Sequence, residues 1–283
     1  RLNSSRLPKK ILSKIKNESI LELIYQNLSK IPLIDKTIVA TSKNKTDLEL
    51  VNFCKKKKIN VFRGSLKNVL SRFTEIIKIY KPTYVVRITA DCPIIDPRIL
   101  NTYIEKFKKK NFVTLFFNYP TSLLSGYDIY SANLLINAEK FSKDRKDKEH
   151  VGCFYIRRNL KKFKTLKVML PKFLRTNKYK LSIDTMNDFI KIKKLLEIYG
   201  KKPINIKKIL NILKKNSDLV IKHSNENFSV DNRMLRKIKI DSKLKKLSKI
   251  YDNCNPDVIK CSNNKDFIIK KGYGKMILIR IKN

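Results

Sequence analysis

Between Ile20 and Leu28 the apolar positions Ile20, Leu21, Ile24 and Leu28 recur at helical spacing. The next stretch, "KTIVATS", reads as a short buried strand with polar residues at its end, and "DLELVNFCKKKK" returns to a helix. That helix carries Asp47 near its start and lysines at its finish, as the helix dipole prefers. "INVFRGS" predicts a second strand, "LKNVLSRFTEIIKIY" a second amphipathic helix, and "TYVVRITADCP" a third strand that ends in Asp91 and is stopped by Pro93. Asp96 and Pro97 then read as an N-cap and the first residue of a helix. Strand and helix alternate about every 20–30 residues, which predicts an α/β fold with a mostly parallel sheet.

Residues around 112–170 break the rhythm. "NFVTLFFNYPTSLLSGYDIYS" is strand-like with turn residues and "KTLKVMLPKF" is another strand, so this part is expected to be an antiparallel excursion. "YKLSIDTMNDFIKIKKLLEIYG" restores the pattern, with a strand ending at Asp184 and a helix closed by Gly200. Beyond Gly200, "PINIKKILNILKK" predicts a helix and the lysine-rich "RMLRKIKIDSKLKKLSKI" is read as helical. "DFIIKKGYGKMILIRI" reads as two strands about a glycine turn. The expected organisation is a main domain over residues 1–205 and a small C-terminal appendix over residues 206–283.

The 283 residues are 42% hydrophobic and 31% charged, the balance of a soluble globular chain with ample material for a core. No apolar stretch approaches the roughly 20 residues that cross a bilayer, so no membrane span is expected. A net charge of +41 invites a nucleic-acid reading. The excess is mainly lysine spread along the whole chain, however, and no aromatic-basic RNA motif, zinc-finger spacing or basic heptad accompanies it. No specific nucleic-acid partner is expected, only loose attraction to polyanions at low salt. The five cysteines are scattered, odd in number and without C-x-x-C spacing, which argues against a disulfide framework or zinc site and fits a reducing, cytoplasmic setting.

The candidate chemistry sits at three points. The opening "RLNSSRLPKK" gathers cations, hydroxyls and backbone N–H groups within one loop, a composition suited to polyphosphate. Asp91 follows "YVVRITA" and Asp184 follows "KLSI", both at strand ends, where ligands of open parallel sheets bind. Two carboxylates at such ends can hold Mg²⁺, which takes oxygen ligands and keeps waters for phosphate oxygens. Either one alone has a plainer reading, Asp91 as the cap of the next turn and Asp184 as the N-cap of the helix that follows.

Four segments, "RLNSSRLPKKIL", "VFRGSLKNVLSRF" with "VVRITADCPIIDP", "KEHVGCFYIRRN" and "LSIDTMNDF", occur in order over residues 1 to about 200. In these the chain resembles the cytidylyltransferase family that includes CMP-KDO synthetase and N-acylneuraminate cytidylyltransferase, in its spore-coat-polysaccharide branch. The resemblance implies a doubly wound, Rossmann-like fold of the nucleotide-diphospho-sugar transferase type. It implies that the opening loop wraps the triphosphate of CTP, with Arg1, Ser4, Arg6 and Lys10 at phosphate-contacting positions, and that Asp91 and Asp184 are the metal-site aspartates. Arg63, Gly64, Ser65 and Arg72 match a stretch expected near the nucleotide, and Glu149 and His150 an element expected beside the acceptor pocket. The plain alternative for His150 is a surface histidine. Asp128 fits the substrate side of the branch pattern Gly-x-Asp-x-Glu, whose glutamate is missing from "SGYDIYS". Asn3 and Lys9 stand where glycines are common in the family. In the family this loop follows a first strand, and the resemblance implies that Arg1 stands where that strand ends, leaving an inner strand of the sheet unpaired.

The reaction implied is CTP plus a sugar acid or related sugar giving a CMP-sugar and pyrophosphate, with Mg²⁺ as cofactor. Arg6, Lys10 and Asp91 are the expected catalytic residues, and a homodimer is in keeping with the family. Two other functions compete: a glycosyltransferase on a related fold, which would consume a nucleotide-sugar, and a non-catalytic relative that binds polyanions or acts as a scaffold.

Overall fold

Two separate blocks of β-structure carry the main unit. The computed structural model describes residues 7–117, 123–124, 126–176, 178–200 and 203–221, and the backbone of 259–261, 265–272 and 275–280. A short antiparallel hairpin, β1 (Lys14–Ile15) and β2 (Glu18–Ser19), leads into α1 (Ile20–Leu28). Ser19 and Glu22 form a reciprocal capping box at the start of α1, which fixes where the helix begins. Then β3 (Ile38–Ser42), α2 (Leu48–Lys56) and β4 (Asn60–Gly64) form a β-α-β unit whose strands pair in parallel. The carboxylate of Asp47 is fully buried and accepts from Thr41 Oγ1 (2.8 Å) and from the Ser42 N–H (3.0 Å). It ties the end of β3 to the start of α2 instead of capping the helix.

The second block follows α3 (Val69–Tyr80). It contains β5 (Tyr84–Arg87), then α4 (Pro97–Lys109), β6 (Thr114–Phe117) and β7 (Asp128–Ser131). After α5 (Ala132–Phe141), α6 (Arg145–Glu149) and α7 (Cys153–Arg158) comes β8 (Thr165–Val168). The strand order is β5-β7-β6-β8. β7 runs antiparallel to both of its neighbours, and β6 and β8 are parallel. The excursion read from residues 112–170 is thus a strand inserted within the sheet. The fold is mixed α/β, with parallel and antiparallel strand pairs.

Among the described residues β3 and β5 do not pair with each other. Between them lies a cavity of about 1140 Å³, walled by Val39 and Ala40 on one side and Val85 and Val86 on the other. Lys10, Arg72, Arg87, Asp91 and His150 also line it, so its wall carries charged groups as well as apolar ones.

The chain then enters α8 (Met186–Tyr199), closed by Gly200 at φ 63°, and α9 (Ile206–Lys215). Ile206, Ile209, Leu210 and Leu213 of α9 are buried in the same core as Ile192, Leu195 and Leu196 of α8. Asp96 links this end of the chain to the middle: it caps α4 through the Arg98 N–H (3.1 Å) and also accepts the Ile206 N–H (2.9 Å). Its own N–H donates to the Tyr127 hydroxyl (2.8 Å). The chain divides into two compact units, residues 1–221 and 222–283. The second unit, 222–283, contains β9 (Ile259–Cys261), β10 (Lys265–Gly272) and β11 (Lys275–Arg280) in an antiparallel sheet of order β11-β10-β9. The stretch 233–250, read as helical, lies outside the described residues.

Replacing Asp96 with Ala leaves the buried Ile206 N–H and the partly buried Arg98 N–H without their acceptor. It is expected to lower the unfolding free energy by about 2–3 kcal/mol in urea denaturation. Asp218, whose exposed carboxylate pairs with Lys194 at 3.2 Å, gives the contrast. Its replacement with Ala is expected to cost less than about 1 kcal/mol.

Candidate active site

The site begins where β5 gives out. After Arg87 the chain leaves the ladder and turns at Thr89, whose carbonyl accepts the Cys92 N–H (3.1 Å). Asp91 lies in this turn, half-buried, on the wall of the cavity. Gly126 approaches from the other side at φ 77°, where a Cβ would stand 2.4 Å from the Thr89 hydroxyl oxygen. Only a glycine fits that approach. The Cys92 thiol is buried beneath the turn. Burial and then the negative charge of Asp91, with a further contribution from Asp184, push its pKa up and keep it a neutral thiol.

Asp184 reaches the same place by a different route. "KLSI" was expected to be a strand, but residues 180–183 form no ladder. They run as an extended segment held at two points, the Lys180 N–H to the Ile221 carbonyl (3.3 Å) and the Ile183 N–H to the Asp91 carbonyl (2.8 Å). The second bond sets residue 184 next to residue 91. Asp184 is not the N-cap of α8. Thr185 takes that position, and Asp188 closes its capping box. The Asp188 carboxylate also accepts the Asp184 N–H (2.9 Å) and receives the Lys180 ammonium (2.9 Å). Lys180 stands 2.8 Å from the Asp184 carboxylate as well.

Lys10 joins these two ends. Its Nζ donates to the Ile183 carbonyl (2.8 Å) and stands 4.0 Å from the Asp91 carboxylate. One cation therefore already sits where these two segments meet. Lys9 before it takes φ 56°, a left-handed conformation in which a glycine would be unstrained. Arg1, Ser4 and Arg6 lie outside the described residues.

The remaining expected site residues divide into two groups. Arg63, Ser65 and Arg72 shape the end of the β3–β4 pair. Arg63 donates to the carbonyls of Ser42 (3.3 Å) and Lys43 (2.8 Å). Arg72 is 3% exposed and donates to the carbonyls of Ser65 (2.6 Å) and Leu66 (3.1 Å). The Ser65 hydroxyl accepts the Asn68 N–H (3.1 Å). Gly64 lets Arg72 lie close, since a Cβ there would stand 2.8 Å from the Arg72 Cγ. In this arrangement the Arg72 guanidinium braces backbone at the cavity wall.

Asp128, Glu149 and His150 form the second group, around Arg87. Asp128 is paired with Arg87 at 2.6 Å, directly across the β5–β7 ladder. The sequence pattern marks Asp128 but not its partner Arg87. Its signal was a cation inside an otherwise apolar strand, "YVVRI". Burial opposes the Arg87 charge, but the Asp128 carboxylate outweighs it and raises the guanidinium pKa. Glu149 and His150 are exposed on the cavity rim, at the end of α6, with the His150 ring edge-on to Phe154 at 5.5 Å. Partial loss of water and the charges of Arg87 and Arg157 outweigh Glu149 and hold the imidazole below its ordinary pKa.

The comparisons with known proteins agree over this unit. The profile of the Cytidylyltransferase family matches residues 1–226. The chain is 34% identical over 227 residues to the uncharacterized protein MJ1063 of Methanocaldococcus jannaschii, covering 80% of this chain and 92% of that one. It is 30% identical over 225 residues to the spore coat polysaccharide biosynthesis protein SpsF of Bacillus subtilis, covering 77% and 92%. Among solved structures, a cytidylyltransferase from Leptospira borgpetersenii superposes with a TM-score of 0.71 at 26% identity, over 79% of this chain and 96% of that one. A CMP:2-keto-3-deoxy-manno-octonic acid synthetase complexed with CTP shares the fold, with a TM-score of 0.52 at 14% identity over 70% and 96%.

The Asp188 anchor makes a pH prediction. Burial alone would raise the Asp188 pKa, but hydrogen bonds from Lys180 and from the Asp184 and Thr185 N–H groups outweigh it and hold the carboxyl below its ordinary range. A depressed folded-state pKa stabilises fully above the unfolded pKa and is lost as pH falls through the folded one. Wild-type protein is therefore expected to exceed Asp188→Asn in stability near neutral pH, and the gap should close below about pH 4 in acid-titrated urea melts.

Proposed function

Since this chain belongs to the cytidylyltransferase family, we propose that it transfers CMP from CTP to a sugar or sugar acid, releasing pyrophosphate, in the synthesis of a surface polysaccharide. The observation that carries this reading is the hydrogen bond from the Ile183 N–H to the Asp91 carbonyl (2.8 Å), which brings the chain at Asp184 up to Asp91 on the wall of the large cavity. Among the described residues no group of three or more His, Cys, Asp or Glu could hold a metal. A pair of carboxylates nonetheless suits Mg²⁺, which is commonly held by one or two carboxylates together with substrate phosphates. Asp91 and Asp184 would hold the ion, which when bound supplies charge neutralisation for the phosphates.

The chain's own residues have distinct tasks in this scheme. An acceptor hydroxyl oxygen of the sugar attacks the α-phosphorus of CTP in line, and its proton passes to solvent. A P–O bond forms there, the bond to the bridging oxygen breaks, and pyrophosphate leaves with the electron pair. Lys10, with Arg1 and Arg6 of the opening loop, neutralises the departing pyrophosphate. Arg72 on the cavity wall, with Ser65, whose carbonyl it holds, and Arg63 would meet the nucleotide. Asp128, through its pair with Arg87, and Glu149 with His150 frame the acceptor end. No residue is assigned as a general base.

Thermal unfolding with CTP, UTP, GTP or ATP, each with and without Mg²⁺, tests the reading. CTP with Mg²⁺ at about 100 times its dissociation constant is expected to stabilise by roughly 2.7 kcal/mol, and the other nucleotides by much less. Equal shifts with every triphosphate, fading with salt, would instead report the basic surface alone and favour a polyanion-binding protein. In a sugar screen for pyrophosphate release, Asp91→Asn is expected to lose about a hundredfold or more in turnover while keeping its unfolding temperature.

A further inference from the structure

We infer that Lys180 is a positioning residue that decides which divalent cation the Asp91–Asp184 pair accepts, favouring a small octahedral ion such as Mg²⁺ over a larger one such as Ca²⁺. This rests on the metal reading of that pair given above.

Lys180 is not a surface lysine that happens to reach an acid. Its side chain is 11% exposed, and its Nζ is held from beneath by Asp188 Oδ2 (2.9 Å), itself 7% exposed. Asp188 Oδ2 is fixed in turn by the N–H groups of Asp184 (2.9 Å) and Thr185 (3.1 Å) at the start of α8. So anchored, the ammonium grips Asp184 Oδ2 at 2.8 Å. While it does so, it competes with a cation for the second oxygen of Asp184. The second ammonium acts in the same sense. Lys10 holds the Ile183 carbonyl at 2.8 Å, and a backbone carbonyl is a ligand that Ca²⁺ uses readily.

The two ions differ in what they ask of a protein. Ca²⁺ gathers about 6–8 oxygens at about 2.3–2.6 Å, often with a bidentate carboxylate, in flexible geometry. Mg²⁺ needs near-ideal octahedral geometry at about 2.0–2.1 Å, keeps several waters, and takes one oxygen from each of one or two carboxylates. A site whose second carboxylate oxygen and neighbouring carbonyl are both engaged by lysines offers few protein ligands. That deficit penalises Ca²⁺ far more than Mg²⁺.

The test is competition of Mg²⁺ and Ca²⁺ against Mn²⁺ bound to the full chain with CTP, followed by the Mn²⁺ electron paramagnetic resonance signal. The quantity read is the ratio of the two competition constants. Lys180→Met is expected to shift that ratio towards Ca²⁺ by roughly tenfold, the usual scale for a group that orients a metal ligand. Lys180→Arg, which keeps a cation against Asp184, should stay near wild type. A Lys180→Met protein that melts like wild type with an unchanged ratio overturns the inference. Should Lys180→Met fail to fold, Asp188→Asn decides. It loosens the anchor that holds Lys180 against Asp184, so the ratio is expected to move towards Ca²⁺, and an unchanged ratio overturns the inference. Asp184→Asn separates this inference from the reading beneath it. If that variant binds Mn²⁺ as tightly as wild type, the metal assignment of Asp184 fails and the role of Lys180 falls with it. If Asp184→Asn loses Mn²⁺ but Lys180→Met keeps the wild-type ratio, only the role of Lys180 falls.

Discussion

A single backbone hydrogen bond, from the Ile183 N–H to the Asp91 carbonyl at 2.8 Å, joins the two halves of the candidate site. Neither of the segments it connects belongs to a strand ladder at that point. Residue 91 lies in a turn beyond β5, and residues 180–183 are an extended run between α8 and the strand β8 region. Each is instead fixed from behind. The turn is pinned by Gly126 against Thr89 and by the buried Cys92 thiol. The extended run is pinned by Asp188 at the start of α8 and by the Ile221 carbonyl. Lys10 closes the arrangement from a third direction through the Ile183 carbonyl.

The positions of the acids follow from the charge of the chain. With 65 basic and 24 acidic residues, cations are abundant and carboxylates are scarce. Four of these carboxylates, on Asp47, Asp96, Asp147 and Asp188, are buried as acceptors for backbone N–H groups. Asp147 binds the Tyr155 N–H (2.6 Å) and the Arg158 guanidinium, holding α6 to α7 so that Glu149 and His150 reach the cavity rim. A buried carboxylate bound by several donors is a strong local constraint, because removing it strands each donor in turn. In the main unit, acids thus organise the turns on which other acids are displayed.

Much of this was legible in the sequence, and the misses have physical causes. The alternation of strand and helix, the Asp96–Pro97 helix start and the Gly200 stop rest on local backbone preferences, which survive in any tertiary context. The resemblance to a glycine-bearing loop marked Lys9, which does adopt φ 56°. The run "KLSI" misled because an apolar stretch records burial, and burial does not require a neighbour with a matching ladder. Asp184 misled as a cap because Thr185 competes for the same N–H groups and Asp188 completes the box. Arg87 was invisible as a partner of Asp128, since 41 residues separate them and only the antiparallel register of β5 with β7 brings them together. The boundary after Ile221 was hidden for a similar reason. The lysines of α9 look like the start of a solvated tail, while its isoleucines and leucines lie in the core with α8.

The central claim is the proposal that Asp91 and Asp184 act as one metal-binding unit because a hydrogen bond couples the turn after β5 to the extended run before α8. A double-mutant cycle on Mn²⁺ affinity in the presence of CTP tests it most directly, comparing Asp91→Asn, Asp184→Asn and the double substitution. The account predicts strong non-additivity, with either single change losing nearly all that the double change loses. Losses that simply add on a logarithmic scale, or a single variant with wild-type affinity, would contradict it.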